Sequence, residues 1–111
     1  MHPRQRLHLV LYFVFCISFI SLQAGTTGKL VGRVTDASSG EGLAGVNVII
    51  ENTTMGAATD LDGYYVIIGI SPGSYDVLTS YISYQDTRVT GVQINIDKTT
   101  TIDFELNPTT M

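Results

Sequence analysis

Nothing in this chain restricts its fold more than the run Thr59-Asp60-Leu61-Asp62-Gly63-Tyr64-Tyr65-Val66-Ile67, followed by Ser71-Pro72-Gly73-Ser74-Tyr75-Asp76-Val77. It reads as turn, strand, turn, strand. Asp62-Gly63 is a hairpin-type turn signal, because glycine accepts positive φ without steric cost and aspartate bonds its own backbone. Pro72-Gly73 presets φ and then releases it, which marks a second turn. The residues between and after these turns are aromatic or β-branched, the composition of strands. The expectation is a small all-β domain.

The first residues have a different character. Arg4 and Arg6 precede an apolar run from Leu9 to Ile20, interrupted only by Ser18, and Ser21-Leu22-Gln23-Ala24 then offers a small residue for cleavage. This is the layout of a secretory signal peptide over residues 1–24, and the run is shorter than the ~20 residues a membrane span needs. Cys16 lies in the middle of the apolar run behind the bulky Phe15, so it reads as part of the signal and not as a lipid-attachment site. Residues 25–28 form a flexible lead-in, 29–106 a single domain and 107–111 a tail.

Removal of the signal has a chemical consequence. His2, His8 and Cys16 are the only His and Cys of the chain, and there is no Trp. What remains has neither the usual acid–base group near neutral pH nor a thiol for nucleophilic, metal or disulfide chemistry. No enzyme activity and no cofactor are expected. Lys29, Arg33, Arg88 and Lys98 stand against all ten acidic residues, a net charge of −6 after cleavage. An acidic, lysine-poor domain does not suit nucleic acid or anionic lipid.

Alternation assigns the faces of about seven strands. Leu30, Gly32 and Val34 share one face of a first strand, with Val31, Arg33 and Thr35 opposite. Val46, Val48 and Ile50 share a face of the second, and Ala57 to Thr59 forms a short edge strand. Strands follow at Tyr64–Ile70, at Ser74–Tyr84 with Tyr75, Val77, Thr79 and Tyr81 on one face, and at Arg88–Ile96 with a bulge at Gly91. Thr99–Leu106 closes the domain with Ile102, Phe104 and Leu106 inward. With no helical stretch, the expected fold is a roughly seven-stranded antiparallel β-sandwich.

On this pattern the chain resembles the carboxypeptidase-regulatory-like domain, a transthyretin-like β-sandwich. The resemblance rests on Gly32-Arg33-Val34-Thr35-Asp36, Gly42-Leu43-Ala44-Gly45-Val46-Asn47-Val48, Gly56, Thr59-Asp60, Gly63-Tyr64-Tyr65 and Pro72-Gly73-Ser74-Tyr75. Gly42 stands where the family usually has Pro, and Ser83 where it usually has Gly before the tyrosine. The resemblance implies an accessory, non-catalytic role. Such domains accompany metallocarboxypeptidases and precede the plug and barrel of TonB-dependent outer-membrane receptors. The expected product is therefore an exported interaction or structural module at the cell envelope, either free-standing or a truncated reading frame. Its location would be the periplasm, the outer-membrane periphery or the extracellular space. Its partner would be another envelope protein or a neighbouring domain. A carbohydrate-binding accessory module is the alternative, and the regulatory domain of a metallocarboxypeptidase lacking its catalytic part is a third reading.

Candidate site residues are few. Tyr64 and Tyr84 fall off the core parity and would offer rings to a partner or a glycan, although cross-strand packing explains such tyrosines as well. Asp60-Leu61-Asp62-Gly63 invites a calcium loop, but aligning Gly63 with the sixth loop position puts Ala58 first and Gly69 twelfth, where ligands are required. Asp60 and Asp62 therefore stand as surface candidates and Gly63, Pro72 and Gly73 as structural turns. Lys29 and Asn107 suggest an isopeptide pair, but Glu51 and Asp76 both alternate outward and no acid is placed to assist it. Asn52-Thr53-Thr54 is a formal glycosylation sequon, relevant only in a eukaryotic secretory pathway. Leu78, Ile49 and Val66 on outward parity form a candidate docking patch.

Overall fold

The computed structural model describes residues 25–109. The signal sequence expected over residues 1–24 and the last two residues of the tail lie outside them. Eight strands run in chain order: β1 (Gly28–Asp36), β2 (Asn47–Ile50), β3 (Gly56–Ala58), β4 (Tyr64–Ile70), β5 (Gly73–Ser80), β6 (Thr87–Ile94), β7 (Thr99–Thr101) and β8 (Phe104–Leu106). They form two sheets. One has the order β4-β1-β7 with β8 also on β1, and the other the order β3-β2-β5-β6.

Most inward positions read from the sequence lie in the observed core, where Val92, Ile94 and, past a bulge, Ile70 join them, while Tyr75, Tyr81 and Ile102 are only partly buried. Leu30 and Val34 of β1, Val48 and Ile50 of β2, Tyr65, Ile67 and Ile70 of β4, Val77 of β5, Val92 and Ile94 of β6, and Phe104 and Leu106 of β8 are buried together with Val46. Each sheet turns one apolar face inward, and the burial of these side chains, about 1.5–3 kcal/mol each, drives the association of the two layers.

Three features of the pairing depart from the expectation. First, the closing strand is split in two, which raises the count from seven to eight. Thr101 pairs with Val31 and Phe104 with Val34 in the same register. Between them, however, the Arg33 N–H donates to Oδ1 of Asp103 (2.9 Å) in place of a backbone carbonyl. Ile102 is consequently only partly buried. Second, β7 and β8 run parallel to β1, whereas the remaining pairs are antiparallel. Third, the strand expected over Ser74–Tyr84 ends at Ser80. Tyr84 belongs instead to the turn after it, bridged to Pro108.

The turns also differ in role. Asp62-Gly63 is not the tip of a hairpin, because β3 and β4 lie in different sheets. The loop carries the chain across the sandwich, and so does Pro72-Gly73 between β4 and β5. The aspartate that bonds its own backbone is Asp60, not Asp62: its Oδ1 accepts the N–H groups of Asp62 (3.0 Å) and Tyr64 (2.9 Å). Gly63 has φ +90°, and a Cβ there would lie 2.5 Å from the Val34 carbonyl oxygen and 3.0 Å from the Gly42 Cα. The bulge expected at Gly91 is present, opposite Asp76, whose Oδ1 accepts the Gly91 N–H (3.2 Å). A second bulge at Ile68-Gly69 in β4 had no signal beyond the glycine itself.

Ser83 adopts φ +68°. A left-handed residue with a Cβ costs more than glycine does, which gives a physical reason for the glycine usual in the family at this place. Ser83→Gly is expected to stabilise the domain by about 0.5–1 kcal/mol, read as a rise in Tm of roughly 3–6 °C. An unchanged or lower Tm would contradict this account.

Candidate interaction face

Strand parity and sheet order together place the predicted site residues on different parts of the surface. Tyr64 projects from β4 on the outer face of the first sheet, 52 % exposed, in line with Val66 (54 %) and Ile68 (68 %). Arg33 of β1 pairs directly with Tyr64, and its guanidinium carbon lies 5.2 Å from the ring centroid, a cation–π contact. Arg33 Nε also donates to the Asp62 carbonyl (2.9 Å), which ties the inter-sheet turn to β1. An open recess on this face is lined by Val31, Arg33, Tyr64, Val66, Thr101 and Asp103.

Tyr84 does not join it. Its ring packs on Tyr81 at 5.6 Å between centroids and against the edge of the core, and its hydroxyl donates to Oδ2 of Asp36 (2.6 Å). Asp36 also accepts the Ser38 N–H (2.7 Å) and the Ser39 N–H (3.0 Å) on Oδ1, together with the Ser38 hydroxyl. The Ser38 hydroxyl first, then Tyr84 and the two backbone N–H groups, hold the Asp36 carboxyl far below the usual carboxylate range, and the same bond to Asp36 raises the Tyr84 phenol. Tyr84 thus fastens the β5–β6 connection to the end of β1.

That bond gives a pH signature. A carboxylate with depressed folded pKa stabilises fully above its unfolded value, about 3.9, and loses that contribution as pH falls towards the folded value. Asp36→Asn is expected to lower Tm by several degrees at pH 7, and the gap to the parent chain should narrow as pH drops below about 4. A gap independent of pH would show that the carboxylate charge is not what matters.

The remaining candidates separate further. Asp60 spends Oδ1 on its own turn, and among the described residues no group of three or more His, Cys, Asp or Glu side chains could hold a metal ion. Ile49 and Leu78 are direct cross-strand neighbours on the outer face of the second sheet, while Val66 lies on the first. The patch drawn from parity is therefore two patches on opposite faces, because alternation says outward but not from which sheet. Lys29 is the second residue of β1, whereas Asn107 follows β8, which pairs with the end of β1 at Asp36. Seven residues of strand, roughly 23 Å, separate the two positions, so they cannot bond. Tyr65 is buried, and its hydroxyl donates to the Ile102 carbonyl (2.6 Å). Burial first, then the Asp103 charge, raises its phenol pKa.

The face around Tyr64 contains residues not singled out from the sequence: Val31, Arg33, Ile68 and Asp103. The signal was available in part, since Tyr64, Val66 and Ile68 share one parity of β4 and Val31 and Arg33 one parity of β1. Their adjacency needed the β1–β4 register.

The strand order of the two layers, with the glycine-lined turn that joins them, defines a small β-sandwich. Residues 29–107 match the family model of the carboxypeptidase regulatory-like domain, and the chain belongs to that family. Among curated proteins it is similar to two from Formosa agariphila. It is 32 % identical over 81 residues to TonB-dependent receptor P39, covering 73 % of this chain and 7 % of the receptor. It is 39 % identical over 86 residues to TonB-dependent receptor P26, covering 76 % of this chain and 8 % of the receptor. The chain thus spans less than a tenth of the length of these relatives. Among solved structures it is similar to a chain of a type II cohesin–X-dockerin complex from Acetivibrio cellulolyticus. The TM-score is 0.61 at 21 % identity, over 71 % of this chain and 56 % of that one, a likeness of fold.

Proposed function

We propose that this chain is an exported, non-catalytic module that acts through its surface at the cell envelope, in the manner of an N-terminal extension of a TonB-dependent outer-membrane receptor. The observation that supports this most directly is the match of nearly the whole β-sandwich to two such receptors. The side-chain chemistry agrees with it. Residues 25–111 contain no His or Cys, and Tyr64, Val66 and Ile68 present aromatic and apolar groups suited to contact. The contact would be made with another envelope protein or a neighbouring domain.

Fractionation of cells making a tagged chain tests the reading. Recovery with the envelope, with an intact mass lacking the first 24 residues, is the expected result. An unprocessed chain in the cytosol would overturn it. The exposed ring of Tyr64 beside an open recess favours one second reading, a glycan-binding accessory module. Binding on a glycan array that disappears in Tyr64→Ala would support that reading, and a blank array would remove it.

A further inference from the structure

The four strands and strand pairs at the margins of the two sheets are protected very unequally. β3, β7 and β8 have three residues each. β6 is long, but it carries Arg88 and Gln93 and is bent in its middle by the Gly91 bulge. These are the devices by which sheet margins avoid pairing with other chains. β4 lacks them. Its seven residues, Tyr64-Tyr65-Val66-Ile67-Ile68-Gly69-Ile70, include no charge and no proline, and its bulge at Ile68-Gly69 leaves Tyr64 to Ile67 regular.

The backbone phase of β4 follows from its bonds. The Val34 N–H donates to the Gly63 carbonyl (2.8 Å), so the backbone groups of Gly63, Tyr65 and Ile67 face β1 and those of Tyr64 and Val66 face away. Tyr64 is satisfied within its turn, donating to Asp60 Oδ1 (2.9 Å) and accepting from the Asp60 N–H (2.8 Å). The same phase turns the N–H and C=O of Val66 to the open margin, and Ile68 follows at the bulge, its side chain exposed.

We infer that β4 pairs antiparallel with β4 of a second copy of this chain, about a two-fold axis at Ile67. In that register Val66 lies opposite Ile68 of the second copy, in both directions, and the open backbone groups of all four residues bond one another. The outer face then places apolar side chain against apolar side chain, with no like charges opposed, which is what stabilises cross-strand pairs. The ends match in charge as well. The turn carrying Asp60 and Asp62 comes to lie by the other copy's lower end of β4. Two of the four cations of the described residues, Lys29 and Lys98, are found there with Asp97. A two-fold contact of this kind is isologous and closes on itself, so it stops at a dimer.

Among the described residues the core runs from Leu30 to Leu106, and residues 25–111, which contain it, are compared with the full chain. Sedimentation equilibrium should show a dimer of residues 25–111 with Kd in about the micromolar range, as small contacts give. Val66→Lys should weaken it at least about tenfold, while Ile49→Lys on the opposite face leaves it unchanged. Hydrogen exchange at Val66 and Ile68 should slow with protein concentration. A chain that stays monomeric up to about 1 mM overturns the proposal. So does an association that Ile49→Lys abolishes and Val66→Lys does not. Slow exchange of the two amides in a monomeric full chain, absent from residues 25–111, would mean that residues 1–24 occupy the margin and would equally overturn it.

Discussion

Gly32→Ala is expected to lower the stability of the domain by about 3 kcal/mol, near the upper end of what overpacking costs. A Cβ at this position would stand 1.8 Å from the Ile102 carbonyl oxygen and 2.9 Å from the Tyr65 ring. That carbonyl cannot retreat freely, because it accepts the Tyr65 hydroxyl (2.6 Å) and because the Ile102 N–H is held by the Val31 carbonyl (2.9 Å). Three separate pieces of sequence thus meet over one missing methyl group: Gly32 of β1, Tyr65 of β4 and the break between β7 and β8. A domain this small has a total stability on the order of 5 kcal/mol, so the variant would be largely unfolded at modest denaturant. The shift of the urea midpoint at constant slope measures the effect, and a shift near zero would mean that the crossing relaxes without cost.

The second large effect is expected at Thr59. This side chain is buried, and its hydroxyl donates to the Leu43 carbonyl (2.5 Å) and accepts the Val46 N–H (2.9 Å). The backbone of the same residue bonds Val46 and Gly45. Thr59→Val keeps the shape and removes the hydroxyl, leaving two backbone groups without a partner at a buried crossing, at about 1–3 kcal/mol each. Thr59→Ser keeps the hydroxyl and loses one methyl group, about 1 kcal/mol. Urea unfolding of the pair separates polar satisfaction from packing. If valine costs no more than serine, the hydroxyl is not what holds the loop to β2.

These two positions show what the sequence could and could not convey. The inward sets Leu30/Val34, Val46/Val48/Ile50 and Phe104/Leu106 were legible because a residue buried on one face of a strand repeats every second position. The sheet to which a strand belongs was not. Asp62-Gly63 and Pro72-Gly73 are local devices that reverse the chain, and a chain reversed within a sheet or between sheets needs the same local chemistry. Asp36 was invisible for a related reason: its partner Tyr84 is 48 residues away and lies past the end of β5, where alternation no longer predicts direction. The same separation dissolved the patch drawn from Ile49, Leu78 and Val66. Tyr64 was found by parity, but its neighbour Arg33 required the register of β1 on β4. Of the motifs that carry the family resemblance, Gly32, Thr59, Asp60, Gly63 and Tyr65 are all engaged in closing the sandwich. The family likeness therefore speaks mainly to how the layers are joined and little to what they touch.

The parallel course of β1 and β8 has a mechanical meaning. The two strands lie side by side, the chain enters at one pole of the sandwich through Gly28 and leaves at the other through Leu106, and pulling on both ends slides one strand along the other. Their bonds then bear the load together, not one after another as in an unzipping hairpin. Such a unit yields at a higher pulling force than a hairpin opened from its free end.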